Sequence, residues 1–140
     1  MITRIHCFAV AVGLAGVLLT GCGGDSDNET TAADLNGSTF TSTEVDGHDL
    51  VEGSKITLTF DDDKLSAEAG CNTMSAPYVI EDDLMSWDGE VAATMMACSD
   101  ELTAQDAWLT DLLKTGVDVE LDGDTLTLTH EDETIELAKS

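Results

Sequence analysis

The sequence predicts an α+β domain, a curved antiparallel β-sheet whose apolar face is closed by one packed α-helix. Two observations predict it. From Ser38 onward the chain is dominated by short segments that alternate apolar and polar residues, separated by acidic or glycine-bearing turns. One stretch alone, Leu102 to Lys114, gives up that period for helical spacing.

Taken in order, Ile56, Leu58 and Phe60 alternate with Lys55, Thr57 and Thr59, the pattern of a half-buried strand. Asp61, Asp62 and Asp63 then make a polar turn, and Leu65, Ala67 and Ala69 alternate on a returning strand. Tyr78 to Ile80 and Leu84 to Trp87 flank Glu81, Asp82 and Asp83 as a second hairpin. In the helical stretch Trp108 and Leu112, and Leu109 and Leu113, lie four apart on adjoining rows. Thr103 followed by Asp106 gives a capping pattern at its start, and Gly116 stands after its last turn, where a left-handed residue ends many helices. Val117, Val119 and Leu121, then Leu126 and Leu128, surround Asp122-Gly123, a dipeptide suited to a type I′ turn. Ile135 and Leu137 supply the last strand.

The first residues have a different character. Arg4 precedes an uncharged run from Phe8 to Leu19, followed by Thr20, Gly21 and Cys22, which is the layout of a secretory signal peptide with small residues at its cleavage site. The run falls short of the about 20 apolar residues a spanning helix needs. Leu19-Thr20-Gly21-Cys22 resembles the lipobox of bacterial lipoproteins, which implies cleavage after residue 21 and lipidation of Cys22. The organisation expected is therefore a signal peptide over 1–21, a lipidated cysteine with a flexible acidic tether over 22–34, and one domain over 35–140. The tether reading rests on Gly23 to Ala33, which holds no large apolar residue and cannot offset its ordering entropy by burial.

Charge narrows the function. The chain has 29 carboxylates against 5 basic residues, a net charge of −24, and one of those basic residues, Arg4, lies in the expected leader. A polymer of phosphates would be repelled, which excludes nucleic acid as a partner. Anionic lipid is disfavoured for the same reason, so membrane association is expected through the anchor at Cys22. The acidity fits solubility or a saline milieu, and alternatively a cationic partner or divalent ion.

Gly70-Cys71-Asn72, then Tyr78, then Ala93-Thr94-Met95-Met96-Ala97-Cys98, then an amphipathic helix and the strand Gly123 to Leu128, resemble the META domain of HslJ-like lipoproteins over about Leu35 to Ala138. The resemblance implies a compact α+β fold in the bacterial envelope, often associated with stress or drug tolerance and without an established enzymatic activity. Gly70, Cys71, Asn72, Tyr78, Thr94, Met96 and Cys98 are the positions that carry it, with Met96 expected to be buried. Three positions depart from the family pattern. Ala76 replaces a glycine, which puts the turn after Asn72 in question, Gln105 replaces a helix glutamate, and Phe40 replaces a first-strand tryptophan.

Cys71 and Cys98 are the cysteines left once Cys7 is removed and Cys22 acylated, and export places them in an oxidising compartment, so a disulfide is expected. A redox role lacks its usual CxxC spacing and any nearby basic residue. Asp118, Glu120, Asp122 and Gly123 imitate the start of a calcium loop, yet its twelfth position is Thr129 and the alternating valines suit a strand. His48 and His130 read as surface histidines, and Met74, Met85, Met95 and Met96 as core filling, with a copper(I) site as the alternative. No nucleophile elbow, phosphate loop or dinucleotide fingerprint is present, so neither catalysis nor a cofactor or metal is expected.

The function expected is an exported, lipid-anchored envelope protein that supports envelope integrity or stress tolerance through contacts with an unidentified envelope protein. The alternative is an acidic module that captures a cationic protein, peptide or metal ion. The apolar strand rows and the helix must bury against one another, leaving the turns outward, and Asp61, Asp62 and Asp63 are the candidate partner contact.

Overall fold

The structure, a computed structural model, describes residues 29–140; the expected signal segment, Cys22 and the first part of the tether lie outside the described residues. Among the described residues nine strands and two helices run in the order α1 (Ala32–Leu35), β1 (Thr39–Asp46), β2 (Thr57–Asp61), β3 (Lys64–Glu68), β4 (Thr73–Glu81), β5 (Leu84–Trp87), β6 (Ala92–Ala93), α2 (Asp100–Thr115), β7 (Val117–Asp122), β8 (Thr125–His130) and β9 (Glu133–Lys139). All pairings are antiparallel. Neighbours follow the order β3-β2-β1-β9-β8-β7-β5-β4, and β4 returns to pair β3 from Lys64↔Pro77 to Glu68↔Thr73. The curved sheet expected from the sequence is thus an eight-stranded barrel. Closure gives each of these eight strands a partner on both sides and removes the edges an open sheet would expose.

β6 carries β5 onward along the same side of β4. The register passes from Glu81↔Leu84 and Tyr78↔Trp87 to Ser75↔Ala92 and Met74↔Ala93, across an unpaired bulge containing Gly89. β4 itself starts at Thr73, earlier than the expected Tyr78. Ala76 lies inside it opposite Leu65, so this departure from the family pattern falls in a regular strand and not in a turn.

The hairpin turns come from the acids. Asp82 and Asp83 both adopt positive φ, 51° and 62°, as a type I′ turn requires. In the β7–β8 hairpin the central pair is Gly123-Asp124, and of these two only Gly123 has positive φ, so the turn is not the I′ type expected for Asp122-Gly123.

Inward-facing residues fill the barrel. Phe40, Leu58, Phe60, Leu65, Met85, Leu126, Leu128, Ile135 and Leu137 are all buried, and Phe60 meets Phe40 and Tyr78 edge-on at ring separations of 5.9 and 5.3 Å. Trp87 donates its indole N–H to the Leu65 carbonyl two strands away, at 3.1 Å.

Each end of the barrel is covered. α2 covers one, burying Leu109, Leu112 and Leu113. Its cap is Ser99, whose hydroxyl accepts the Leu102 N–H, and not the expected Thr103; Asp106 lies on the buried face. Gly116 ends it at φ 109°, where a Cβ would stand 3.3 Å from the Leu84 side chain. At the other end the chain enters. Thr30 is buried, donating its N–H to the Asp83 carboxylate and accepting the Leu121 N–H on its hydroxyl. The Asp34 carboxylate accepts the Thr31 N–H and hydroxyl at the start of α1, which holds its pKa below the ordinary 3.8. Leu35 is fully buried, and Gly37 donates to the Phe60 carbonyl. Among the described residues Thr30 to Leu35 are therefore packed on the barrel, inside the stretch expected to be tether. Burial of Leu35 and the two hydrogen bonds of Thr30 seat the segment together.

Candidate functional site

The motif residues meet at the α2 end of the barrel. Gly70 follows β3 at φ 107°, and a Cβ there would lie 3.0 Å from a Leu102 methyl and 3.1 Å from Ser54 Cβ, so the chain can pass beneath α2 only as glycine. Cys71 comes next and is bonded to Cys98, with the two Cα atoms 6.1 Å apart. The bridge spans 27 residues, a loop worth about 3.5 kcal/mol in the chain-entropy model.

Asn72 is the hub. Its backbone N–H and side-chain amide both donate to the same oxygen of the buried Asp106 carboxylate, at 2.9 and 3.2 Å. Its side-chain carbonyl accepts the Thr94 hydroxyl at 3.0 Å and the Met96 N–H at 2.7 Å. The Thr94 hydroxyl in turn accepts the Thr73 N–H. One asparagine therefore ties the start of β4, the loop after β6 and the middle of α2 together. The second Asp106 oxygen is buried with no hydrogen-bond partner among the described residues.

Gln105 performs a similar task on the adjoining side. Buried in the same face of α2, it accepts the Val51 N–H at 2.6 Å and donates to the Ala69 carbonyl and the Ser54 hydroxyl at 2.6 and 2.8 Å. An amide can supply this mixture of donor and acceptor; a glutamate, the residue expected from the family, would put a charge against the Ala69 carbonyl.

Beside Gln105 a cleft of about 530 Å³ opens between the segment 48–52 and the first turns of α2. Its lining includes the apolar Val51 and Ala104 and the carboxylates Asp49, Glu52 and Glu101. His48, half-buried rather than free on the surface, stacks on Trp108 with rings 3.7 Å apart and 4° from parallel, and Trp108 donates to the Glu133 carboxylate at 2.9 Å.

The sequence-selected residues divide into groups. Gly70, Cys71, Asn72, Thr94, Met96 and Cys98 converge as described. Tyr78 belongs instead to the barrel interior, where burial and then the Asp63 carboxylate raise its phenol above the ordinary 10.0, and its hydroxyl has no partner among the described residues. Asp61, Asp62 and Asp63 are exposed at the far end of β3, where Asp62 exchanges hydrogen bonds with Asn36. Met74 and Met85 fill the core, but Met96 is 65 % exposed and Met95 97 %, which corrects the expectation of buried methionines there. The Met96 backbone is held by Asn72, which accepts its N–H at 2.7 Å, and the side chain points outward from that fixed backbone. Asp118, Glu120 and Asp122 lie in β7, a strand and not a calcium loop, and among the described residues no three His, Cys, Asp or Glu side chains converge as a metal-ligand set. Sequence reasoning missed Gln105 and Asp106 as structural centres. Their signal was available: they stand three and four residues after Leu102 and four and three before Leu109, on the apolar stripe.

A filled, closed antiparallel barrel with one long helix across its end defines the architectural class, a small β-barrel with a packed helix. The META domain family model matches residues 33–140, and the chain belongs to that family. Two solved structures share the fold. One, an NMR structure, is 23 % identical with a TM-score of 0.62 and covers 78 % of this chain and 94 % of its own. The other, an NMR structure of a protein from Burkholderia xenovorans, is 19 % identical with a TM-score of 0.63 and covers 99 % of both. No curated protein matches the sequence.

Proposed function

We propose that the chain is an HslJ-like, lipid-anchored envelope protein without catalytic activity, which supports envelope integrity or stress tolerance through protein contacts. One observation carries this reading: the polar side chains that the motif brings to the α2 end, Asn72 and Thr94, are engaged in holding neighbouring segments in place. Asn72 has both ends of its amide bonded to neighbouring segments, and Gln105 does the same beside it. Groups fixed in this way shape a surface and are not free to bind or transfer protons to a substrate. The anchor reading rests on Leu19-Thr20-Gly21-Cys22. Wild type should incorporate labelled fatty acid and Cys22→Ala should not. Equal labelling of the two proteins, or none in either, would remove the anchor from the account, and reproducible turnover in a broad hydrolase screen would remove the non-catalytic assignment.

The cleft favours a second reading, capture of a cationic partner. Three carboxylates and two apolar residues line one cleft, a setting suited to the head and stem of a lysine or arginine side chain. Such capture weakens steeply with salt.

A further inference from the structure

The segment from Val91 to Ala97 is anomalous for this chain. It carries no charge, like the longer run Ala69 to Ile80, but unlike that run it lies on the surface. Ala92, Ala93, Met95, Met96 and Ala97 are all exposed. Large apolar side chains at this exposure require a reason, since the default for methionine is burial.

The backbone beneath them is held firmly. β6 pairs with β4, the Thr94 N–H reaches the Thr73 carbonyl at 3.1 Å, the Met96 N–H is fixed by Asn72 at 2.7 Å, and Cys98 is locked to Cys71. The polar groups face inward and the thioethers outward, so the motif presents a rigid apolar strap to solvent. Acids surround it. Asp88 and Glu90 precede it, Asp100 and Glu101 follow it, and Glu68 borders it through its bond from the Thr73 hydroxyl at 2.7 Å. Glu101 also lines the acidic cleft, so the strap ends where the cleft begins.

We propose that the Met95–Met96 strap is a docking surface for a cationic amphipathic polypeptide segment, whose apolar face covers the thioethers while its lysines or arginines reach the surrounding carboxylates. The occupant is fixed by charge complementarity: an apolar centre inside an acid rim excludes an anionic partner and disfavours a second copy of this equally acidic chain. Methionine suits the role because its flexible thioether adapts to varied apolar side chains, and a braced backbone lowers the ordering cost of binding. The proposal rests on the reading of the chain as a protein-contact module.

The test uses the protein from residue 23 to 140 with its disulfide intact, and as probe a labelled 14-residue Leu/Lys peptide with one apolar helical face. A control peptide of the same composition has its leucines scattered around the helix. Titration followed by fluorescence anisotropy should show the amphipathic peptide binding at least about tenfold more tightly than the control, and Met95→Ser with Met96→Ser weakening it by at least about tenfold. Both side chains are exposed, so the substitutions leave the fold intact, which circular dichroism checks. If the two peptides bind equally and the serine variant binds like wild type, the strap is overturned while charge-driven capture survives. Absence of binding to either peptide at low salt overturns both. A dimer in sedimentation analysis that the serine variant abolishes, or binding of the unlipidated chain to zwitterionic vesicles, also overturns the proposal by supplying a different occupant.

Discussion

Tyr78 is the only tyrosine in the chain, and its hydroxyl is buried in the barrel without a partner among the described residues. Burial, and secondarily the Asp63 carboxylate, raise its pKa in the folded state above 10.0. The unfolded chain therefore loses this proton first, and the stability the phenol contributes is fully present below about pH 10 and is lost as pH rises through the folded value. Tyrosinate absorbance should accordingly titrate above the ordinary midpoint in the native protein and at it in urea. Tyr78→Phe should flatten the alkaline loss of stability and change unfolding free energy at pH 7 by less than about 1 kcal/mol, or raise it, because no hydrogen bond is given up. A loss above about 2 kcal/mol in urea titration would show that the hydroxyl is bonded after all. At this scale the sequence was partly legible. Cys71, Cys98 and Asn72 stood out through the family motif, whereas the use of Asn72 was hidden, because its partners Asp106, Thr94 and Met96 lie 22 to 34 residues away.

Helix α1 is only four residues long and would be unstable alone. It persists because Leu35 enters the barrel end and Thr30 bonds Asp83 and Leu121. Leu35→Ala should cost about 2–5 kcal/mol in chemical denaturation, the range for a fully buried leucine, and should increase amide exchange in Gly37 and Phe60. A cost below about 1 kcal/mol would mean that the N-terminal segment is an ornament on a barrel already sealed. The sequence showed the hairpins and α2 because alternation, acidic turns and helical spacing are local signals. It did not show α1, which has one apolar anchor among polar residues, nor β6, which is two alanines with no period to read. Ser99 was overlooked as the cap for a related reason: several polar residues precede the first apolar one, and only its bond to Leu102 selects among them.

For the molecule as a whole, a net charge of −24 on a compact barrel means that folding concentrates like charges. Raising ionic strength from about 0.01 M to 1 M shortens the Debye length from about 30 Å to 3 Å. Thermal unfolding in sodium chloride should therefore move upward by several degrees over that range, most of it at the low end. A flat or falling midpoint would show that the acids are already spaced widely enough to be neutral in the balance. Curvature was legible in the alternating strands, but closure was not. It depends on β3 meeting β4 and β1 meeting β9, and in the second case Phe40 faces Lys139, nearly the whole domain away in sequence. That seam also sets the order of events during biosynthesis. β9 is the last strand to be made, yet it is the partner of both β1 and β8, so two strands wait with open edges until it arrives. Completion is then a single late step, and a chain that stops short of Glu133 is a barrel with a missing stave, ready to pair with whatever strand comes near.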